Sequence, residues 1–153
     1  MTKVRLGTVI HGTMREEDLI PAFLNELEML DPDRAASYLE KIPAGALEDP
    51  ENDWWGSGKA LWMLDELFDV LNEYAPPYCY FGALEGDGSD YGFWIDRNSL
   101  REAIAEGEVI HVEDLSEVPE DYEGLVLEEN DHGNLTLWKF SPQKDPEELW
   151  SVV

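Results

Sequence analysis

Pro76-Pro77-Tyr78-Cys79-Tyr80-Phe81, followed by Gly86-Asp87-Gly88-Ser89-Asp90 and Tyr91-Gly92-Phe93-Trp94-Ile95, marks a change of character in the chain. Adjacent prolines remove two backbone donors and bias the residue before them away from helical geometry, so a helix arriving from upstream must stop there. The two aromatic runs that follow have strand composition, and the Gly/Asp cluster between them is turn-forming. The stretch therefore predicts a β-hairpin.

Upstream of the prolines the periodicity is helical. Leu19, Ile20, Phe23, Leu24, Leu27 and Leu30 recur at one-face spacing and predict a helix over 18–30, which tolerates Pro21 if it begins near Asp18. Asp31-Pro32-Asp33 ends it and opens a second helix over 33–42, with Ala35, Tyr38, Leu39 and Ile42 inward. A loop over 43–53 leads through Trp54-Trp55-Gly56-Ser57-Gly58 to a third helix over 59–74. Its expected inner stripe is Leu61, Leu64, Phe68 and Leu71, widened by Trp62 and Leu67. Residues 3–10 suit a short strand or an extended arm.

Downstream, Asn98 and Ser99 are placed to cap a short helix running to about Glu106. Strands are expected at 108–112, 124–129, 135–140 and 149–153, with a turn at Asp131-His132-Gly133-Asn134. Helices followed by strands give an α+β class. The expected arrangement is one domain over 1–153, with N-terminal helices on one face of a mainly antiparallel C-terminal sheet of four to five strands.

Asn72 through Gly82, Gly86-Asp87-Gly88 and Gly92-Phe93-Trp94 together resemble a family of small acidic proteins of phages, plasmids and bacteria. The likeness extends to Asp131-His132-Gly133-Asn134 and Trp150-Ser151-Val152-Val153. No activity attaches to that family, so the resemblance implies no catalytic residue; it implies a mobile-element origin.

The chain has 35 Asp and Glu against 10 Lys and Arg, a formal net charge of −25. A net charge of that size destabilises the compact state by self-repulsion and, being negative, disfavours direct contact with nucleic acid or an anionic membrane. No run reaches the roughly 18 apolar residues of a membrane span. One cysteine, Cys79, excludes an intramolecular disulfide, and with no signal-peptide pattern at the start the expected compartment is the reducing cytoplasm.

Chemistry finds little purchase. The Glu85–Asp90 loop alternates oxygen ligands, but a calcium loop wants Gly at its sixth position and Glu at its twelfth, where Asp90 and Asp96 stand; it reads as a hairpin turn. His11, His111 and His132 lack metal-ligand spacing, and no nucleotide-binding or nucleophile motif is present. Cys79 shares a strand face with Phe81 and reads as core. No cofactor and no catalytic residue are expected.

The distribution of acid is the informative feature. From Glu102 through Asp131 there are twelve Asp and Glu and no Lys or Arg. Glu106, Glu108, Glu113, Asp114, Glu117, Glu120, Asp121, Glu123, Glu128 and Glu129 are interleaved with apolar residues, so the segment is expected to fold and hold its carboxylates outward. Duplex DNA carries one charge per ~1.7 Å, so −25 corresponds to roughly a dozen base pairs. The leading expectation is a non-catalytic protein that covers a basic, nucleic-acid-binding protein surface. The alternatives are a toxin-immunity-like protein, a salt-adapted housekeeping protein and, last, a hydrolase. Trp54 and Trp55, adjacent before a helix, are candidate contacts because exposed tryptophan is favoured at interface hot spots.

Overall fold

Leu19, Ile20, Phe23, Leu24 and Leu27 are all buried along one face of a helix in the computed structural model, which describes residues 4–153. Of the predicted 3–10 segment, Lys3 lies outside the described residues. Helix α1 spans Glu16–Leu30, two residues earlier than expected, and so encloses Pro21. Glu16, Glu17 and Asp18 fill its first turn, where negative charge complements the helix dipole. The Thr13 hydroxyl donates to Asp18 Oδ2 at 2.6 Å.

Helix α2, Pro32–Leu39, starts with Pro at its first turn and with the Asp31 side chain accepting from the Arg34 amide at 3.2 Å. It is shorter than the predicted 33–42, consistent with Pro43 disfavouring helical geometry at Ile42. Leu39, expected inward, is exposed, whereas Ala35, Tyr38 and Ile42 are buried.

Helix α3, Gly58–Glu73, is capped by Ser57. Its buried positions are Ala60, Met63, Leu64, Leu67, Val70 and Leu71. The expected stripe is thus rotated: Leu64, Leu67 and Leu71 are buried together with Ala60 and Met63, while Leu61 and Trp62 are exposed. Trp62 is 57 % exposed and lies under the Lys41 ammonium, 5.7 Å from its ring centroid, with Tyr38 at 5.3 Å.

The predicted hairpin forms from β2, Cys79–Leu84, and β3, Asp87–Ile95. Its turn is only Glu85-Gly86, with Gly86 at φ 93°, and Asp87 through Asp90 belong to β3. Strand β1, Gly7–His11, pairs antiparallel with β3, giving the order β1-β3-β2. Phe23 meets Phe81 and Phe68 edge-on, each at 5.0 Å, and Phe81 meets Phe93 at 4.9 Å, so α1 and α3 are joined to this sheet through rings. At Gly92 a Cβ would fall 2.0 Å from the Gly7 carbonyl oxygen, which is why this strand position carries no side chain.

The remaining elements are helix α4, Arg97–Ala105, and strands β4, Val109–Val112; β5, Gly124–Glu129; β6, Leu135–Phe140; and β7, Glu147–Val152. Asp96, rather than Asn98 or Ser99, caps α4: its carboxylate accepts from the Ser99 amide at 3.2 Å and the Ser99 hydroxyl at 2.9 Å. The strands form a second sheet in the order β4-β5-β6-β7, antiparallel except for the parallel β4–β5 pair. The class is α+β, and the expected four-stranded, mainly antiparallel C-terminal sheet is present. The difference is that the hairpin joins β1 in a sheet of its own, on which the first helices pack. Two units result: Met1–Ala75 with Tyr80–Trp94, and Pro76–Cys79 with Ile95–Val153.

Candidate partner-binding surface

In the second unit the parallel β4–β5 pair requires the chain to travel back along the sheet before β5 can begin. Residues 113–123 make that crossover, and they contain Glu113, Asp114, Glu117, Glu120, Asp121 and Glu123, all exposed. Six of the ten predicted carboxylates are therefore gathered on one connection. Glu106 and Glu108 flank the entry to β4, both exposed, and Glu128 and Glu129 close β5, both half-buried.

The crossover is held in place by its own residues. A short 3-10 turn over Leu115–Glu117 carries a reciprocal cap. Asp114 Oδ1 accepts from the Ser116 amide at 2.8 Å, while Glu117 Oε2 accepts from the Glu113 and Asp114 amides at 2.7 and 3.0 Å. The Ser116 hydrogen bonds hold the Asp114 carboxyl below its usual range. Asp121 adopts φ 62°, a left-handed conformation that Asp tolerates better than most residues. Tyr122 anchors the far end: its ring lies 6.4 Å from Phe140 and its hydroxyl donates to the Leu125 carbonyl at 3.3 Å.

This geometry divides the predicted set by role. Asp114 and Glu117 shape the turn. Glu108 accepts from the Tyr78 hydroxyl at 3.4 Å, Glu128 from the Trp138 indole at 3.1 Å, and Glu129 Oε1 pairs with His111 Nε2 at 2.9 Å. Glu106, Glu113, Glu120, Asp121 and Glu123 make no side-chain hydrogen bond or ion pair among the described residues and are the free charges of the surface. The unit as a whole has sixteen Asp and Glu against four Lys and Arg, a formal net of −12.

The two tryptophans belong to the first unit. Trp55 is 4 % exposed, and its indole N–H is shared between the Ala46 and Asp49 carbonyls at 3.0 and 3.1 Å. As a partner contact it is corrected: it pins the loop before α3. Trp54 is half-buried, edge-on to Trp55 at 5.1 Å. Adjacent tryptophans suggested divergent faces, but a 3-10 turn over Asp53–Gly56 lets both pack inward. The tryptophan that is exposed, Trp62, was expected inward.

Cys79 is half-buried, and burial, with Asp96 adding to it, pushes its thiol up to about 12, which suits a structural residue and not a nucleophile. Asp87, considered as a calcium ligand, accepts from the Ser89 amide and hydroxyl at 3.2 and 3.0 Å, an ordinary local turn bond. Among the described residues no group of three or more His, Cys, Asp and Glu is arranged to hold a metal, and no helix is long and apolar enough to cross a membrane.

Sequence reading missed the His111–Glu129 pair, since it depends on a parallel pairing that places β4 beside β5. It also passed over Arg97 and Arg101, whose signal was present: two of the unit's four basic residues, one helical turn apart. Comparison with protein-family models, with curated proteins and with solved structures gives no match.

Proposed function

We propose that the β4–β5 crossover is the binding face of a non-catalytic cytoplasmic protein that covers a basic, nucleic-acid-binding surface on a partner. The supporting observation is the concentration of six exposed carboxylates on eleven residues with no intervening Lys or Arg, held by a capped turn and a half-buried tyrosine. A fixed array presents charge to a basic groove without the ordering cost a flexible acidic tail would incur. Long-range attraction between such surfaces speeds encounter and is screened by salt.

The test is retention of host proteins on the immobilised chain at low salt, followed by elution with short duplex DNA. Basic proteins displaced by duplexes of about a dozen base pairs support the reading. Retained proteins that resist both DNA and salt would overturn it.

A second reading rests on a different observation. The first unit carries nineteen Asp and Glu against six Lys and Arg, a net of −13, so acid is shared nearly equally between the two units. Such a distribution favours adaptation to a saline interior. It expects the melting temperature to climb steeply with potassium chloride and no basic partner to be retained.

A further inference from the structure

A cavity of about 420 Å³ opens in the second unit between α4 and the sheet. Its apolar lining includes Ile104 from the helix and Leu127, Leu135 and Val152 from three strands. The strand register explains the row: Leu135 stands opposite Glu129 on one side and Val152 on the other, so these three side chains share one sheet face. Leu127 stands opposite His111 in the parallel pair, which brings the His111–Glu129 pair to the rim.

Arg97 and Arg101 form the opposite, helical wall. They are one turn apart on α4, a spacing that sets Cβ atoms about 5–6 Å from each other. Neither makes a hydrogen bond or an ion pair among the described residues, although the unit contains sixteen carboxylates. Lys139 and Lys144 likewise have no side-chain partner among the described residues, so what sets Arg97 and Arg101 apart is their place together at the mouth of a cavity with an apolar strand wall. A guanidinium offers a fork of donors matched to a carboxylate, and two of them can hold one from both sides. Apolar walls with a few convergent polar groups, within a volume of a few hundred Å³, are the usual make-up of a small-molecule site.

We propose that this cavity binds a small amphipathic carboxylate, its head group between Arg97 and Arg101 and its aliphatic tail over Leu127, Leu135 and Val152. The site is independent of the acidic crossover. It selects against cations, which Arg97 and Arg101 repel, and against neutral chains of equal length, which leave both guanidinium groups without a partner.

Octanoate is the probe, with octan-1-ol and octylammonium as equal-length controls, measured by calorimetry and by methyl chemical shifts on the full chain. Octanoate is expected to bind at about millimolar or tighter and to shift the methyls of Ile104, Leu135 and Val152. The Arg97→Gln/Arg101→Gln double variant alters only exposed, unpaired side chains, so it should retain the wild-type circular dichroism spectrum; its octanoate affinity should fall about tenfold or more. Equal binding of all three probes, no octanoate binding, an unchanged affinity in the double variant, or shifts confined to other methyls would each overturn the assignment.

Discussion

The Trp150 indole donates to the Pro77 carbonyl at 2.8 Å, joining residues 73 positions apart within the second unit. Trp150 is 1 % exposed and stands opposite Leu137 in the β6–β7 pair. Asp96 adds a second tie to the same short segment, its amide donating to the Tyr78 carbonyl at 2.7 Å. Pro76–Cys79 is thereby fastened into the unit by groups distant in the chain. Trp150→Phe keeps most of the packing and loses the bond, for an expected cost of about 1 kcal/mol; Trp150→Ala also opens a cavity and should cost about 3–5 kcal/mol. Urea unfolding of the two variants measures the difference, and a Trp150→Phe variant as stable as the wild type would remove the hydrogen bond from the account.

Gly92 makes a sharper case in the first unit. A methyl there would overlap the Gly7 carbonyl, which belongs to backbone and cannot turn aside. Gly92→Ala should therefore cost about 1–3 kcal/mol and loosen β1 from β3, seen as faster amide exchange at Gly7–His11. Ala at Gly88, where nothing lies within 4 Å, is the matched control and should leave exchange in β1 unchanged.

Charge reversal tests the crossover, provided the residues that shape it are spared. Lysine at Glu106, Glu113, Glu120 and Glu123 should weaken capture of a basic partner at least tenfold, with a shallower salt dependence. Lysine at Glu28, Glu40, Glu48 and Glu51, all exposed in the first unit, should leave capture nearly intact. Equal effects from the two sets would show that net charge alone matters.

Glu26 gives a pH-dependent test of α1. It is half-buried, makes no hydrogen bond or ion pair among the described residues, and desolvation raises its pKa. A carboxyl raised on folding contributes stability below its unfolded pKa and loses that contribution as pH rises through its folded value. Glu26→Gln should accordingly raise the melting temperature at neutral pH and lose its advantage below about pH 4. Thermal scans across that range decide it.

For Cys79 the same sign applies at alkaline pH. Its thiol is raised from 9.0 to about 12, so its contribution is complete below about pH 9 and disappears as pH climbs toward 12. Iodoacetamide at pH 8 should label the folded chain far more slowly than the urea-unfolded one, and Cys79→Ala should abolish the labelling.

The periodic segments were legible because one physical cause, burial of a single face, dominates them. The α1 stripe and the strands 124–129 and 135–140 match the structure closely for that reason. Reading failed where apolar residues outnumbered the buried positions. Along α3, Leu61 and Trp62 suited an inner stripe in composition, and only the competing Ala60–Met63–Leu64–Leu67 series excluded them. The partner strand of the hairpin was equally hidden, since aromatic strands do not encode whether β1 or a later strand will pair with them. At the candidate surface the acidic run was plain in the sequence. That Asp114 and Glu117 are spent on backbone amides, and that Arg97 and Arg101 go unpaired, are properties of a folded turn and a packed helix.

The order of segments has a consequence during synthesis. The first unit is drawn from two stretches separated by Pro76–Cys79, which belongs to the second, so the chain leaves and re-enters each unit. Strand β1 pairs with residues 90–93, and at about 5–20 residues per second it waits several seconds on the ribosome for β3 to appear. Pro77 waits about as long for Trp150. Neither sheet can be completed as its first strand emerges, and for that interval the apolar faces of α1, α2 and α3 have only one another. The nascent chain is held in solution then by its acid: sixteen carboxylates between Glu16 and Glu73.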